Sequence, residues 1–311
     1  MSPSDADSLK DTVEVSMRDV SQRGVPAEPS PAVCFDFGAA SHVGLRRPNN
    51  EDHYAIVQRT RARKILMTNI EMGGLALPDD DAYAMIVADG MGGSQSGEVA
   101  SELVLRIGWE LAGAAPFWVM KYTPRLIEKV RERVAAYGRQ IQQELRDYAD
   151  ADPRLSGMGT TWTCVYVMGS DAIIAHVGDS RACLFRDGAL HKLTRDHTFA
   201  QAMKDLGVSE QQSAQYKHLL INSFGTQSED VKIDVDHLSL EDGDRLLVCS
   251  DGLTDMVSDD DIAATLAGVN SAQAACDALI DRALQNGGKD NVTVIVADCR
   301  AASDLDSRRP A

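Results

Sequence analysis

The chain reads as an α+β protein in which β-sheets pack on each other and helices cover them. Three observations lead there. The runs "TTWTCVYVM", "AIIAHV", "RACLF", "RLLVC" and "VTVIVA" are short, β-branched or aromatic, and apolar on both faces, as strands covered on both sides must be. The sequences "GSD" and "RDG" separate runs as hairpin turns do, which makes neighbouring strands antiparallel. Stretches of helical period precede and interrupt the runs, so the sheets have helices to bury their outer faces.

Taken in order, residues 1–32 are polar and patternless, with Pro26, Pro29 and Pro31 near the end, and read as a disordered leader. Order is expected to begin near "VCFDFGAASHVG"; the ordered part, over 33–300, is long enough for one large domain or two small ones, and 301–311 reads as a flexible tail. Residues 58–81 place four bases between Arg59 and Lys64 and three acids at the end. They read as a solvated hairpin or loop extension, with a partner-docking device as the alternative. "EVASELVLRIGWEL" sets Val99, Leu103, Ile107 and Leu111 on one helical stripe. From Thr123 to Tyr148, Leu126, Val130, Val134, Tyr137, Ile141, Leu145 and Tyr148 recur every three or four residues, which predicts a long amphipathic helix. The strand runs follow. They are interrupted by a polar stretch of weak helical pattern, a predicted helical flap over 196–236. A last helix, about Ser271 to Gln285, ends at Gly287-Gly288. No internal repeat is present.

Composition narrows the function. The chain has 311 residues, 44% of them hydrophobic, enough for a large core. Its net charge of −16 argues against nucleic acid as a partner, and a phosphorylated substrate would need local positive charge from arginine or metal. No apolar run approaches the ~20 residues of a membrane span. The first thirty residues lack a signal-peptide core. Six cysteines are scattered through apolar runs with no CxxC, as expected of reduced thiols in a cytoplasmic protein.

The chemistry centres on aspartate. In "MIVADGMGGSQSGEVAS" a dinucleotide fingerprint would need glycine where Gln95 stands, and a Walker loop would need a lysine that is absent. Asp89, between a strand and a glycine turn, is instead well placed to hold a cation. Asp251 follows "LLVCS", Asp290 opens "NVTVIVA", Asp179 lies in "AHVGDSR", and Glu51 and Asp52 end "RRPNNED". Any one of these is most simply a turn or cap residue. Several together repel one another unless a cation compensates them, and an all-oxygen set without a histidine cluster selects Mg²⁺ or Mn²⁺.

In order, "RRPNNED", "VADGMGG…GE.AS", "GMGTT", "HVGDSR", "LLVCSDGLTD" and "GGKDNVTVIVAD" resemble the motif series of the metal-dependent PPM, or type 2C, serine/threonine protein phosphatases, bacterial branch. The resemblance runs from about Ser41 to Asp298. It implies a four-layer α-β-β-α sandwich of two antiparallel sheets. It implies hydrolysis of phosphoserine or phosphothreonine by a hydroxide bridging two tightly bound Mn²⁺ or Mg²⁺ ions. By motif, Asp89 would bridge the ions and the Gly90 carbonyl would ligate the second. Asp251 and Asp290 would complete the first, and Glu51 and Asp52 would serve the second, largely through water. Arg47 would grip the substrate phosphate, and Asp179 would hold a weaker third ion. The partners implied are phosphoproteins made by a serine/threonine kinase, in signalling, acted on by a monomer. One departure stands out: Met91 occupies the position where animal and plant members often carry a histidine thought to protonate the leaving group. Metal-bound water, or a histidine such as His42 or His53, is left for that part.

Two decoys are set aside. "CDALIDR", from Cys276 to Arg282, matches C-x5-R but continues a helix, so Cys276 reads as core. "KIDVDHL" lacks the residue that follows D-x-D in aspartyl-phosphate enzymes and reads as an edge strand with solvated charges. Rival functions are a phosphatase of small metabolites and a non-catalytic phosphoprotein-binding module.

Overall fold

The computed structural model describes residues 33–61, 67, 80–92, 96–113, 124–225 and 230–301. One antiparallel sheet contains β1 (Val33–His42), β7 (Arg181–Arg186), β8 (Ala189–Lys192), β10 (Arg245–Cys249) and β11 (Val292–Ala301), in the order β1-β11-β10-β7-β8. The other contains β2 (Asp52–Arg61), β3 (Asp80–Met91), β5 (Trp162–Met168), β6 (Asp171–Val177) and β9 (Asp234–Ser239), in the order β2-β3-β5-β6-β9. A short β4 (Gly159–Thr160) pairs with the end of β3. The "RDG" turn closes β7 onto β8 with Arg186 opposite Ala189. Asp187 and Gly188 between them have φ of 53° and 78°. Positive φ at both positions is what a two-residue hairpin turn of the right twist requires.

The strands are apolar on both faces because each face meets a different layer. Along β10, Leu246 and Val248 point between the sheets, whereas Leu247 and Cys249 point to the helices. Along β11, Ile295, Ala297 and Cys299 fill the inter-sheet core while Val292, Val294 and Val296 face outward. Helix α1 (Ser96–Gly113) and helix α2 (Pro124–Ala151) cover the second sheet. Leu103 and Ile107 of α1, and Ile141 and Leu145 of α2, pack there with Met158 and Phe224. The short α3 (Phe199–Asp205) and α4 (Glu210–Ser213) lie in the segment between β8 and β9, and α5 (Asp251–Thr254) follows β10. On the first sheet lie α6 (Asp259–Gly268) and α7 (Ala272–Gln285). Cys276, fully buried in α7, is a core thiol, and burial pushes its pKa up to about 12. The four layers α-β-β-α are those the sequence implied.

Helix α6 went unread in the sequence, although Ser258 caps it by accepting the Asp261 N–H and three aspartates fill its first turn. The segment between β8 and β9 is a helical insertion, but its return arm is core, since Phe224 is fully buried among α1 and α2 residues. The base of the 58–81 segment is the end of the β2–β3 hairpin, with Arg61 opposite Asp80. Its remainder, apart from residue 67, lies outside the described residues, as do the leader over 1–32 and residues 302–311 of the tail. Among the described residues no helix is long and apolar enough to cross a membrane.

Candidate functional site

Antiparallel pairing sets the end of one strand beside the start of the next, and the predicted acids occupy those positions at one end of the sandwich. Asp52, the first residue of β2, pairs in register with Asp89 near the end of β3. Asp251 follows Ser250, the residue just after β10, and Asp290 stands two residues before β11. Asp179 lies in the tight turn between β6 and β7. A cleft of about 1250 Å³ opens over them, lined by Glu51, Asp89, Gly90, Asp179, Asp251 and Asp290 among others. Asp52 lies beneath its floor, buried.

These carboxylates disfavour one another's charge. Burial, then the charges of Asp251 and Asp290, push Asp52 up to about 7, against the hydroxyls of Ser250 and Thr293. Burial and the charges of Asp52 and Asp251 hold Asp89 well above the usual carboxylate range. Burial, with Asp251 and Asp196, raises Asp179 in the same way. Asp52 Oδ2 accepts the Ser250 hydroxyl at 2.7 Å, but its Oδ1 is buried with no hydrogen-bond partner. An orphaned buried oxygen among converging acids is a position that a hard cation satisfies. The donor set therefore fits Mg²⁺ or Mn²⁺.

The backbone around Gly90 is closely nested. A Cβ there would lie 2.1 Å from the Gly97 carbonyl oxygen at the start of α1, so only glycine lets β3 approach the helix. The Gly90 N–H donates to the Glu51 carbonyl at 3.1 Å, and the Ser101 hydroxyl donates to the same carbonyl at 2.6 Å. The Glu51 carboxylate rests against Gly97 in the first turn of α1, where the helix dipole favours negative charge.

Arg47 spends one nitrogen on Asp290, with Nη2 2.6 Å from Oδ2, and its half-exposed side chain lines the cleft. That bond, more than any other interaction, raises its pKa and keeps it charged. Asn291 fixes the loop that carries Arg47. Its Nδ2 donates to the carbonyls of Val43 and Asn49, both at 2.9 Å, and its Oδ1 accepts the Glu51 N–H at 2.8 Å.

The structure adds residues that the sequence reading missed. Lys217, His218 and Leu220 reach the cleft from the flap. Lys217 Nζ lies 2.9 Å from Asp255, and His218 lies 3.8 Å from Asp251 and 3.6 Å from Asp255. Ligand atoms of His218, Asp251 and Asp255 fall within 4.8 Å of one another, so Asp251 is shared between this group and the predicted set. Asp255 had a readable signal, one helical turn after Asp251 in "SDGLTD". Lys217 and His218 had none, because a fold across distant chain brings them in. Of the two histidines considered for the leaving group, His53 is tied to Ser101 Oγ at 2.9 Å and His42 accepts the Gly44 N–H. Neither lines the cleft; His218 does. Asp234 of "KIDVDHL" lies in an edge strand as expected, but its charge is not left to solvent: it pairs with His197 at 3.0 Å.

The chain as a whole is similar to known proteins. The profile of the family Protein phosphatase 2C matches residues 75–291. Serine/threonine phosphatase stp of Listeria monocytogenes is 32% identical over 245 residues, covering 77% of this chain and 94% of that protein. Serine/threonine protein phosphatase PstP of Mycobacterium tuberculosis is 36% identical over 263 residues, 84% of this chain and 44% of PstP. The crystal structure of the PstP catalytic domain in complex with two manganese ions superposes with a TM-score of 0.66 at 32% identity, covering 86% of this chain and 100% of that domain. Stp1 from Staphylococcus aureus superposes with a TM-score of 0.70 at 27% identity, over 89% of this chain and 98% of that one. With its fold, its motif order and these relatives in agreement, the chain belongs to the protein phosphatase 2C family.

Proposed function

We propose that the chain is a metal-dependent serine/threonine protein phosphatase whose active site is this cleft. The observation that carries the reading is the convergence of Asp52, Asp89, Asp179, Asp251 and Asp290 beneath Arg47, with one buried oxygen of Asp52 left unpartnered. Asp89 with the Gly90 carbonyl, Asp251 and Asp290 would hold two Mn²⁺ or Mg²⁺ ions, Glu51 and Asp52 would support the second, and Asp179 would hold a weaker third. Bound there, such ions supply a nucleophilic water at neutral pH and neutralise charge on the phosphoryl oxygens.

The chain's own residues do the rest. Arg47 binds the phosphate, since a planar guanidinium can offer two parallel N–H bonds where lysine offers a point charge. Asp290 orients that guanidinium through Nη2, and Asn291 holds its loop. Arg46, Lys217 and Lys289 on the cleft wall supply the local positive charge that an acidic protein needs to attract an anion. The cleft is open and reached by flap residues, which suits a phosphorylated segment of a protein made by a serine/threonine kinase. Six free cysteines, five of them buried, fit a reducing cytoplasm and a place in signalling.

The test is full-chain protein stripped with chelator and assayed on phosphoserine and phosphothreonine peptides beside sugar phosphates. Activity is expected to vanish with the metal, to return with Mn²⁺ or Mg²⁺, and to favour the peptides. Full turnover by protein shown metal-free by elemental analysis would overturn the mechanism. A preference for the sugar phosphates would overturn the substrate class.

A further inference from the structure

His197 is a buried histidine at the root of the flap, outside the cleft wall, and no part of the chemistry above uses it. Its ring and backbone tie its own segment to three separated pieces of chain. The backbone N–H donates to the Gly178 carbonyl at 2.7 Å, and its carbonyl accepts the Ile221 N–H at 2.9 Å. Nδ1 accepts the Gly178 N–H at 3.2 Å and lies 2.8 Å from Asn222 Nδ2. Nε2 lies 3.0 Å from Asp234 Oδ2 on β9. Since Nδ1 accepts a backbone N–H, the ring proton sits on Nε2 and is donated to Asp234, so the carboxylate selects the tautomer.

Asn222 extends the tie. It donates to the Lys232 carbonyl at 2.6 Å and accepts the Lys232 N–H at 3.2 Å, joining both arms of the flap where they leave the body. His176 packs against His197 with ring centroids 4.9 Å apart and planes tilted by 40°, and its Nε2 lies 3.2 Å from the Arg195 carbonyl.

The Gly178 end matters for the site. Gly178 precedes Asp179, has φ of 109°, and a Cβ on it would lie 2.5 Å from Thr161. Thr161 Oγ1 in turn accepts the Asp89 N–H at 2.9 Å and shares a hydrogen bond with Ser180 Oγ at 2.7 Å. A continuous path of hydrogen bonds and packed atoms therefore runs from the flap root through Gly178 to Asp179 and Asp89. We infer that His197 is a positioning residue that joins the flap to the Asp179 turn, its Nδ1 setting the Gly178 peptide and Asp234 setting the ring. This inference rests on the phosphatase reading of the cleft.

Two substitutions separate the ends of the imidazole. In His197→Asn the amide oxygen falls near the place of Nδ1 and still accepts the Gly178 N–H. In His197→Gln the amide falls near Nε2, reaches Asp234 and abandons Gly178. Full-chain protein with Mn²⁺ would be followed by hydrogen exchange of the Gly178 amide and by phosphopeptide kinetics. The Asn variant should keep the amide protected and its kcat within about threefold of wild type. The Gln variant should lose that protection and at least about tenfold in kcat with KM unchanged, as a misplaced catalytic group does. Asp234→Ala, on a partly exposed edge strand, should also deprotect Gly178 although it does not touch it.

Equal losses in the Asn and Gln variants, in proportion to their Tm, would reduce His197 to a structural part and overturn the inference. So would a Gly178 amide that exchanges freely in the wild type, or one left protected in Asp234→Ala. Because exchange is read without substrate, failure of the phosphatase reading would show separately, as wild-type protein inert on phosphopeptides.

Discussion

Replacing Asp52 with asparagine should stabilise the metal-free protein and destabilise the metal-loaded one. In the folded chain Asp52 is pushed up to about 7, whereas an aspartate in the unfolded chain titrates near about 3.9. The folded state thus binds the proton more tightly. The penalty is absent below about pH 4, grows as pH rises through the window between the two values, and is complete above pH 7. Three pH units at about 1.36 kcal/mol each give about 4 kcal/mol at pH 8. Asparagine removes that charge in the same shape and can still accept the Ser250 hydroxyl, but its N–H₂ replaces the unpartnered Oδ1 at a cost of about 1–3 kcal/mol. The net gain is about 1–3 kcal/mol, or roughly 2–12 °C in Tm for a domain of this size. Scanning calorimetry with chelator at pH 8 and pH 5 would measure it, and at pH 5, where the penalty is only about 1.5 kcal/mol, the gain should vanish or turn into a small loss. Excess Mn²⁺ should reverse the sign, because the wild type gains a compensating cation that the variant binds less well. A variant less stable than wild type in chelator at pH 8, or a gain indifferent to pH, would refute the reasoning.

Other substitutions probe the remaining parts. Arg47→Lys keeps the charge but loses the fork and the short bond to Asp290, so KM for a phosphopeptide should rise more than kcat falls; steady-state kinetics with an unchanged KM would remove Arg47 as the phosphate clamp. Asp179→Asn should not lower Tm and should leave two tight metal-binding events intact while abolishing a low-affinity one and most turnover, and three unaltered events by calorimetry would refute the third-ion assignment. Gly90→Ala should cost about 1–3 kcal/mol or more, since its Cβ would sit 2.1 Å from the Gly97 oxygen; an unchanged denaturation midpoint would mean that β3 and α1 are not tightly nested.

Much of the architecture was legible in the chain because local rules and long-range packing agree there. Val294 through Ala297 alternate between two apolar environments, so that run had to be apolar throughout, and a sheet covered on both faces follows from that alone. Asp89, Asp179, Asp251 and Asp290 each end or precede an apolar run, so their chemistry could be proposed before any fold was known. Tertiary structure alone decided three matters. Asp52 faces Asp89 across a strand pair and lies beneath the cleft, so its raised pKa and unpartnered oxygen come from burial, which no local pattern encodes. Lys217 and His218 meet Asp251 and Asp255 only because the flap folds back across more than thirty residues of chain, a contact set by return geometry rather than by residue type. His197 meets Gly178, Asn222 and Asp234 for the same reason: a hydrogen bond depends on where two chain segments lie in space, whereas periodicity reports only which face of each segment is dry.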